Sequence, residues 1–174
     1  MSNAAIYARV SSARQKEQET IGSQTAALHA HAEQLGLDVP PRWVFCDDGH
    51  SGAILVRPAL EKLRDLVAQV PVAEPVMRYA VRIVRRTNPD TPDAPAEIKR
   101  FARYGSSPRG LQSLVLGAKV RGLLEGRYNV AFDDIRAVVL PALRHRVILG
   151  FEADAEGVTT DRLIHDVVAT TPEE

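Results

Sequence analysis

Residues 4–10, AAIYARV, form a short run of small, β-branched and aromatic residues, which predicts a buried strand ending at Ser11. A polar stretch separates it from ETIGSQTAALHAHAEQLG, where Ile21, Ala27, Leu28, Ala32 and Leu35 recur near helical spacing and Gly36 closes the pattern. That pattern is an amphipathic helix with a glycine stop. Trp43–Cys46 predicts a second strand, running into the Asp- and Gly-rich turn DDGHSGA. Strand, helix-length crossover and strand imply a parallel, right-handed βαβ unit. In open sheets of this kind, sites form in loops at the C-terminal strand ends. Ser11 and the Asp47–Ser51 turn stand at two such neighbouring ends.

Beyond RPALEKLRDLVAQV helical periodicity takes over, and no further strand is expected. A helix over Arg64–Val70 is interrupted by VPVAEPV, after which Val76, Tyr79, Ala80, Ile83 and Val84 make an apolar stripe. Pro89, Pro92 and Pro95 mark the next segment as an irregular loop. Leu111, Leu114, Val115, Ala118, Leu123 and Leu124 then fall largely on one helical face, with Pro108 suited to a first turn. FDDIRAVVLPALRHRVIL and TTDRLIHDVVA predict two more helices, each with Asp or Thr where a helix start wants one. The final TTPEE reads as a frayed acidic tail.

The 174 residues are 45% hydrophobic, enough for a real core, and divide best into a short α/β part and a larger helical bundle. Lys and Arg balance Asp and Glu, so no long-range field draws the molecule onto nucleic acid or an anionic membrane, and any DNA contact is local. The one cysteine, Cys46, excludes an internal disulfide or a multi-cysteine zinc site and is expected to be packed. Without a membrane-length apolar run or a signal-peptide order, the chain is expected in the cytoplasm, with no membrane partner. His29 and His31, two apart on a helix, do not share a face, so no metal site is expected there.

Arg9, Ser11, Gln15, Asp47, Ser51 and Arg57 make the first chemical constellation. A serine hydroxyl attacking a phosphodiester needs fixed cations to neutralise the charge that develops on phosphorus, and guanidinium forks suit that task. Arg9 and Ser11, two apart on a strand, share a face. The plainer reading is a strand-end serine with two surface arginines in ordinary ion pairs. IYARVSSARQ, IGSQTAAL, FCDDGHSGA and VRPALEKLRDLV, in this order, resemble the start of the serine-recombinase (resolvase/invertase) catalytic domain over about residues 4–68. The resemblance implies that Ser11 forms a phosphoserine link to DNA and that Ser12 is only its neighbour. It also implies that Arg9 and Arg57 bind the scissile phosphate while Gln15, Asp47 and Ser51 shape the site. The family's following Asp-Arg-Leu-Ser/Gly-Arg block, its long dimerisation helix and its DNA-binding region are absent from this sequence. Each missing cation of a charge-stabilising site costs about a hundredfold or more in rate. Strand exchange by this chain alone is therefore not expected.

YGSSPRG, residues 104–110, is the second constellation: a Ser-Pro helix start followed by Arg109. A capped helix with a surface arginine is the plain reading, and an anion contact the functional one. VMRYAVRIVRRTNPD, RYGSSPRGLQSLVLGAKVRGLLEGRYNV and DDIRAVVLPALRHRVILGFEADAEGVTTDRLI resemble the C-terminal helical lid of MoxR-type AAA+ ATPases, from about Val67 to Val168. The resemblance implies that Arg109 is the sensor-2 arginine reaching a nucleotide γ-phosphate, and that an AAA+ core subunit is a partner. Arg103 and Arg127 are expected to pack on the surface; His145, flanked by Arg144 and Arg146, could contact phosphate, but the resemblance makes it part of the lid's packing. None of Lys16, Lys62, Lys99 or Lys119 stands in a phosphate-cradling G-x-x-x-x-G-K-[ST] loop, so neither autonomous ATPase activity nor a cofactor of the chain's own is expected. The expected architecture is α/β plus all-α: a partial recombinase βαβ unit over 1–66, a helical lid bundle over 67–170 and a tail over 171–174.

Overall fold

The computed structural model describes residues 2–10, 21–48 and 57–173. The chain divides into two compact units, Met1–Gln69 with Leu123–Arg127, and Val70–Gly122 with Tyr128–Glu174. It is mixed α/β and mostly helical, with a small parallel sheet in the first unit and a helical lid bundle in the second.

In the first unit β1 (Ser2–Asn3) and β2 (Ile6–Val10) pair in parallel with β3 (Leu37–Asp38) and β4 (Val44–Asp48), across helix α1 (Ile21–Gln34). The βαβ reading of the hydrophobic pattern is thus the observed topology. The short β1–β3 pairing lies beyond that reading. A 3-10 turn, Pro41–Trp43, separates β3 from β4 and takes up the register change between the two pairings. Pro40 and Pro41 lack the amide a continuous strand would donate, which is why the turn falls there. Gly36, at φ +67°, accepts the left-handed conformation that ends α1.

The packed face of α1 differs from the one its leucines suggest. Ala32 is buried, whereas Leu28 and Leu35 are exposed, because a two-stranded ribbon covers only a narrow strip of the helix. Cys46 is likewise exposed rather than packed, with its Sγ 3.8 Å from Thr25 Oγ1. Helix α2 (Pro58–Ala68) starts earlier than the periodicity from Arg64 implied, since its start is fixed by a tertiary contact described below.

The second unit holds α3 (Glu74–Arg86), α4 (Ala96–Phe101), α5 (Pro108–Leu124), α6 (Phe132–Leu143), α7 (Phe151–Glu156) and α8 (Thr160–Thr170). Its core is Tyr79, Ile83, Ile98, Phe101, Leu114, Ile135, Leu143, Leu163, Ile164 and Val167, all essentially inaccessible. The stripe on α3 is buried as its spacing required. The helix starts follow local chemistry: Thr159 Oγ1 accepts from the Arg162 amide, and Asp134 reaches back to the Ala131 amide at 2.8 Å. One expectation fails here, because a strand pair does occur: β5 (Ala102–Tyr104) and β6 (Ile148–Leu149) run antiparallel. Both segments are too short for a period to register in the sequence. Among the described residues no helix is long and apolar enough to cross a membrane, and no cluster of His, Cys, Asp and Glu is placed to hold a metal ion.

Candidate functional site

Side chains along β2 alternate, with Ile6 and Ala8 buried and Tyr7 and Arg9 on the opposite face. Parallel pairing sets Arg9 beside Asp47 on β4. Asp47 is 3% exposed, and its Oδ1 accepts from the Ala59 amide at 2.9 Å. Its Oδ2 accepts from the Leu60 amide at 3.2 Å and from the Tyr7 hydroxyl at 3.0 Å. Ala59 and Leu60 follow Pro58 in the first turn of α2, and the residue at the cap position, Arg57, makes no side-chain cap. A buried carboxylate from a neighbouring strand thus satisfies amides that a local Ser or Asp would ordinarily take. Its charge also lies at the favourable end of the helix dipole.

This anchor determines where Arg57 enters the site. Burial, then the hydrogen bond to Asp47 and its charge, push the Tyr7 hydroxyl above its usual range, while the Arg57 and Arg9 guanidinia pull it down. Arg9, exposed, is the register partner of Asp47, and Arg57, half-buried, directly precedes the helix turn that Asp47 caps. Guanidinium forks of this kind can hold a phosphodiester oxyanion. Ser11, which follows directly on Val10 of β2, lies outside the described residues, as do Ser12, Gln15 and Ser51. Tyr7 was not singled out from the sequence. The available signal was its position two before Arg9, which puts both on one strand face.

The second unit presents a different arrangement. Arg109 is exposed in the first turn of α5, and Arg109, Gln112, Ser113 and Leu116 recur at helical spacing along one face. With Arg146 they line a groove of about 490 Å³. The Arg146 guanidinium donates to the Ala142 carbonyl and to Ser113 Oγ, each at 3.1 Å. Neighbouring Arg144 instead forms a two-pronged pair with Asp161 at 2.9 and 2.6 Å, and His145 is exposed rather than packed. Arg103 lies over the Tyr104 ring, and Arg127 pairs with Glu125.

The start of α5 is held from α3. Thr87, entirely buried, donates to the Val84 carbonyl at 2.6 Å and accepts from the Ser106 amide at 2.9 Å. Gly105 permits this approach: a Cβ there would lie 2.5 Å from the Asn88 backbone. At Gly110 a Cβ would meet Ser106 Oγ and crowd Leu143 and the Arg146 stem, so this glycine lets residues 144–147 close on α5. Sequence reasoning missed Thr87, because a threonine after a helix carries no mark of what it will bond.

Comparison with known proteins also finds two parts, divided further along the chain. Residues 4–91 match the resolvase N-terminal domain, and residues 95–167 match an AAA lid domain. The chain is 28% identical to the chaperone MoxR1 of Mycobacterium tuberculosis over 64% of its own length and 29% of the relative's. It is 40% identical to the MoxR protein of Paracoccus denitrificans over 44% of its own length and 23% of that protein's. The chain thus spans less than a third of the curated relatives it matches. A crystal structure of a putative ATPase from Cytophaga hutchinsonii superposes with a TM-score of 0.62 at 17% identity, covering 96% of this chain and 65% of that one; the likeness is one of fold. The resolvase match runs through α3, although α3 packs against α6 and α8 in the helical unit. The chain is a chimera that belongs to the resolvase N-terminal domain family through its first half and carries a MoxR-type AAA lid in its second.

Proposed function

We propose that the first unit is the opening half of a serine-recombinase site, in which Arg9 and Arg57 hold a DNA phosphodiester for attack by Ser11, with Gln15 and Ser51 completing its wall. The observation that supports this reading is the register that sets Arg9 beside the buried Asp47, whose carboxylate also accepts from the Ala59 and Leu60 amides just after Arg57. Ser11 Oγ attacks phosphorus, a phosphoserine ester forms, and the leaving 3′ oxygen takes up a proton. The arginines that complete the charge stabilisation come from a second, intact subunit. The test is a nicked recombination-site duplex incubated with the chain and such a subunit. A DNA adduct of this chain, distinguished by mass from that of the intact subunit, should form and should vanish in Ser11→Ala; no adduct of this chain on any such substrate refutes the reading.

A second reading concerns the helical unit, and Arg109 favours it, because it is exposed on a helix start that Thr87 and Gly105 hold in place. In this reading the lid docks on an intact AAA+ core and offers Arg109 to the bound nucleotide. Adding the chain to a MoxR core should change its ATP turnover, and Arg109→Ala should abolish the change. Unchanged turnover removes this reading.

A further inference from the structure

The arginines of the helical unit differ in their partners: Arg86 bonds to carbonyls and Thr171, Arg103 lies over the Tyr104 ring, and Arg82 is partly buried. Arg78, Arg85, Arg100, Arg121, Arg136, Arg144 and Arg162 each pair with a carboxylate. Arg109 and Arg146, which share the groove on α5, have no carboxylate partner among the described residues, and none of the other lining residues is acidic. Two cations lining one groove without a counter-charge leave a local positive field. An anion between them neutralises it. The Arg146 side chain is also held in advance, since neutral acceptors, the Ala142 carbonyl and Ser113 Oγ, fix its guanidinium without neutralising it. Gly110 provides the clearance for its stem. Little side-chain entropy is therefore left to lose on binding.

From this we infer that Arg146 is a second phosphate-binding residue, which together with Arg109 makes the α5 groove a two-pronged site for a polyphosphate anion. Gln112 supplies a neutral donor on the same helical face. The inference rests on the lid reading for its biological ligand, a nucleotide's terminal phosphates. It differs from that reading in requiring the chain to bind the anion by itself, and in giving a role to the second arginine of LRHR, not the first.

The experiment is calorimetric titration of the whole chain with inorganic phosphate, pyrophosphate and ATP at low salt. Circular dichroism verifies the fold of each variant. Wild type should bind pyrophosphate and ATP more tightly than phosphate. Equal affinity for pyrophosphate and ATP assigns recognition to the phosphates, and tighter ATP adds the nucleoside; both support the site. Arg146→Gln should weaken binding about tenfold, a loss equivalent to about 1.4 kcal/mol. Arg146→Lys, which keeps the charge but loses the fork, should fall between it and wild type. Arg144→Gln removes the same charge two residues away from Arg146, at a side chain paired with Asp161, and should change affinity less than twofold. If Arg144→Gln weakens binding as much as Arg146→Gln, the effect is general electrostatics and the inference is overturned. It is equally overturned if no anion binds. Altered turnover of a MoxR core without binding by the chain alone would leave the lid reading standing and remove this one.

Discussion

Replacing Asp47 tests the idea that the first unit is held together by one nonlocal helix anchor. At least three donors converge on this carboxylate, among them the Ala59 and Leu60 amides and the Tyr7 hydroxyl. Asp47→Asn preserves shape and one acceptor but removes the charge. A lost helix cap costs about 1 kcal/mol, and hydrogen bonds to charged groups exceed neutral ones by about 1 kcal/mol each. A net loss of about 2 kcal/mol is expected. Asp47→Ala strands these three donors, at about 1–3 kcal/mol apiece if they stay buried, so roughly 4 kcal/mol is expected after partial relaxation. For a unit this small, that is a large part of a stability of about 3–10 kcal/mol. Trp43, the sole tryptophan, stands in this unit beside β4, so its fluorescence in urea follows the unit directly. Ellipticity at 222 nm follows chiefly the helical unit. The fluorescence midpoint should fall while the main ellipticity transition stays in place. Either of two results refutes the reasoning: Asp47→Asn within about 0.5 kcal/mol of wild type, or a double-mutant cycle with Tyr7→Phe that reveals no coupling.

Other outcomes follow from single contacts. Gly105→Ala drives a methyl into the Asn88 backbone and should cost the helical unit about 3 kcal/mol, read as a lower thermal midpoint in the ellipticity transition. Arg82 buries its Nε and one terminal nitrogen without a hydrogen-bond partner among the described residues, so Arg82→Met should leave stability equal or higher; a clear loss in the same melting experiment contradicts this. The Tyr7 hydroxyl is raised above its ordinary value near 10. Its contribution is therefore complete below the unfolded-state value and disappears as pH rises through the folded one. In an absorbance titration at alkaline pH the wild type should show one late-ionising phenol that is missing from Tyr7→Phe, and unit 1 should weaken as that phenol ionises.

How much of this was legible depended on the range of each interaction. The α3 stripe Val76–Val84 and the caps at Thr159 and Asp134 are written in consecutive residues, and they appear as read. The parallel βαβ order was legible because a crossover of helix length leaves few alternatives. The α1 face was misread because Leu28 and Leu35 assume a broad surface to cover them, whereas the ribbon has two strands. The start of α2 was misplaced because its cap, Asp47, lies ten residues upstream of Arg57 on another element. Arg9, Arg57 and Arg109 were visible as chemistry. Tyr7 was reachable only through its spacing from Arg9, Arg146 only as part of the basic LRHRV run, and Thr87 matters solely through what it touches.

The nonlocal cap also carries a kinetic consequence. Helices α6 and α8 close their first turns with residues three positions away and can nucleate as soon as they exist. The amides of Ala59 and Leu60 have to wait until β2 and β4 are in register, because their acceptor and its Tyr7 partner lie on those strands. In folding, the last helix of the first unit therefore completes with the ribbon rather than before it. In native-state hydrogen exchange, the same two amides should open together with the β2–β4 pair, while the middle of α2 frays independently.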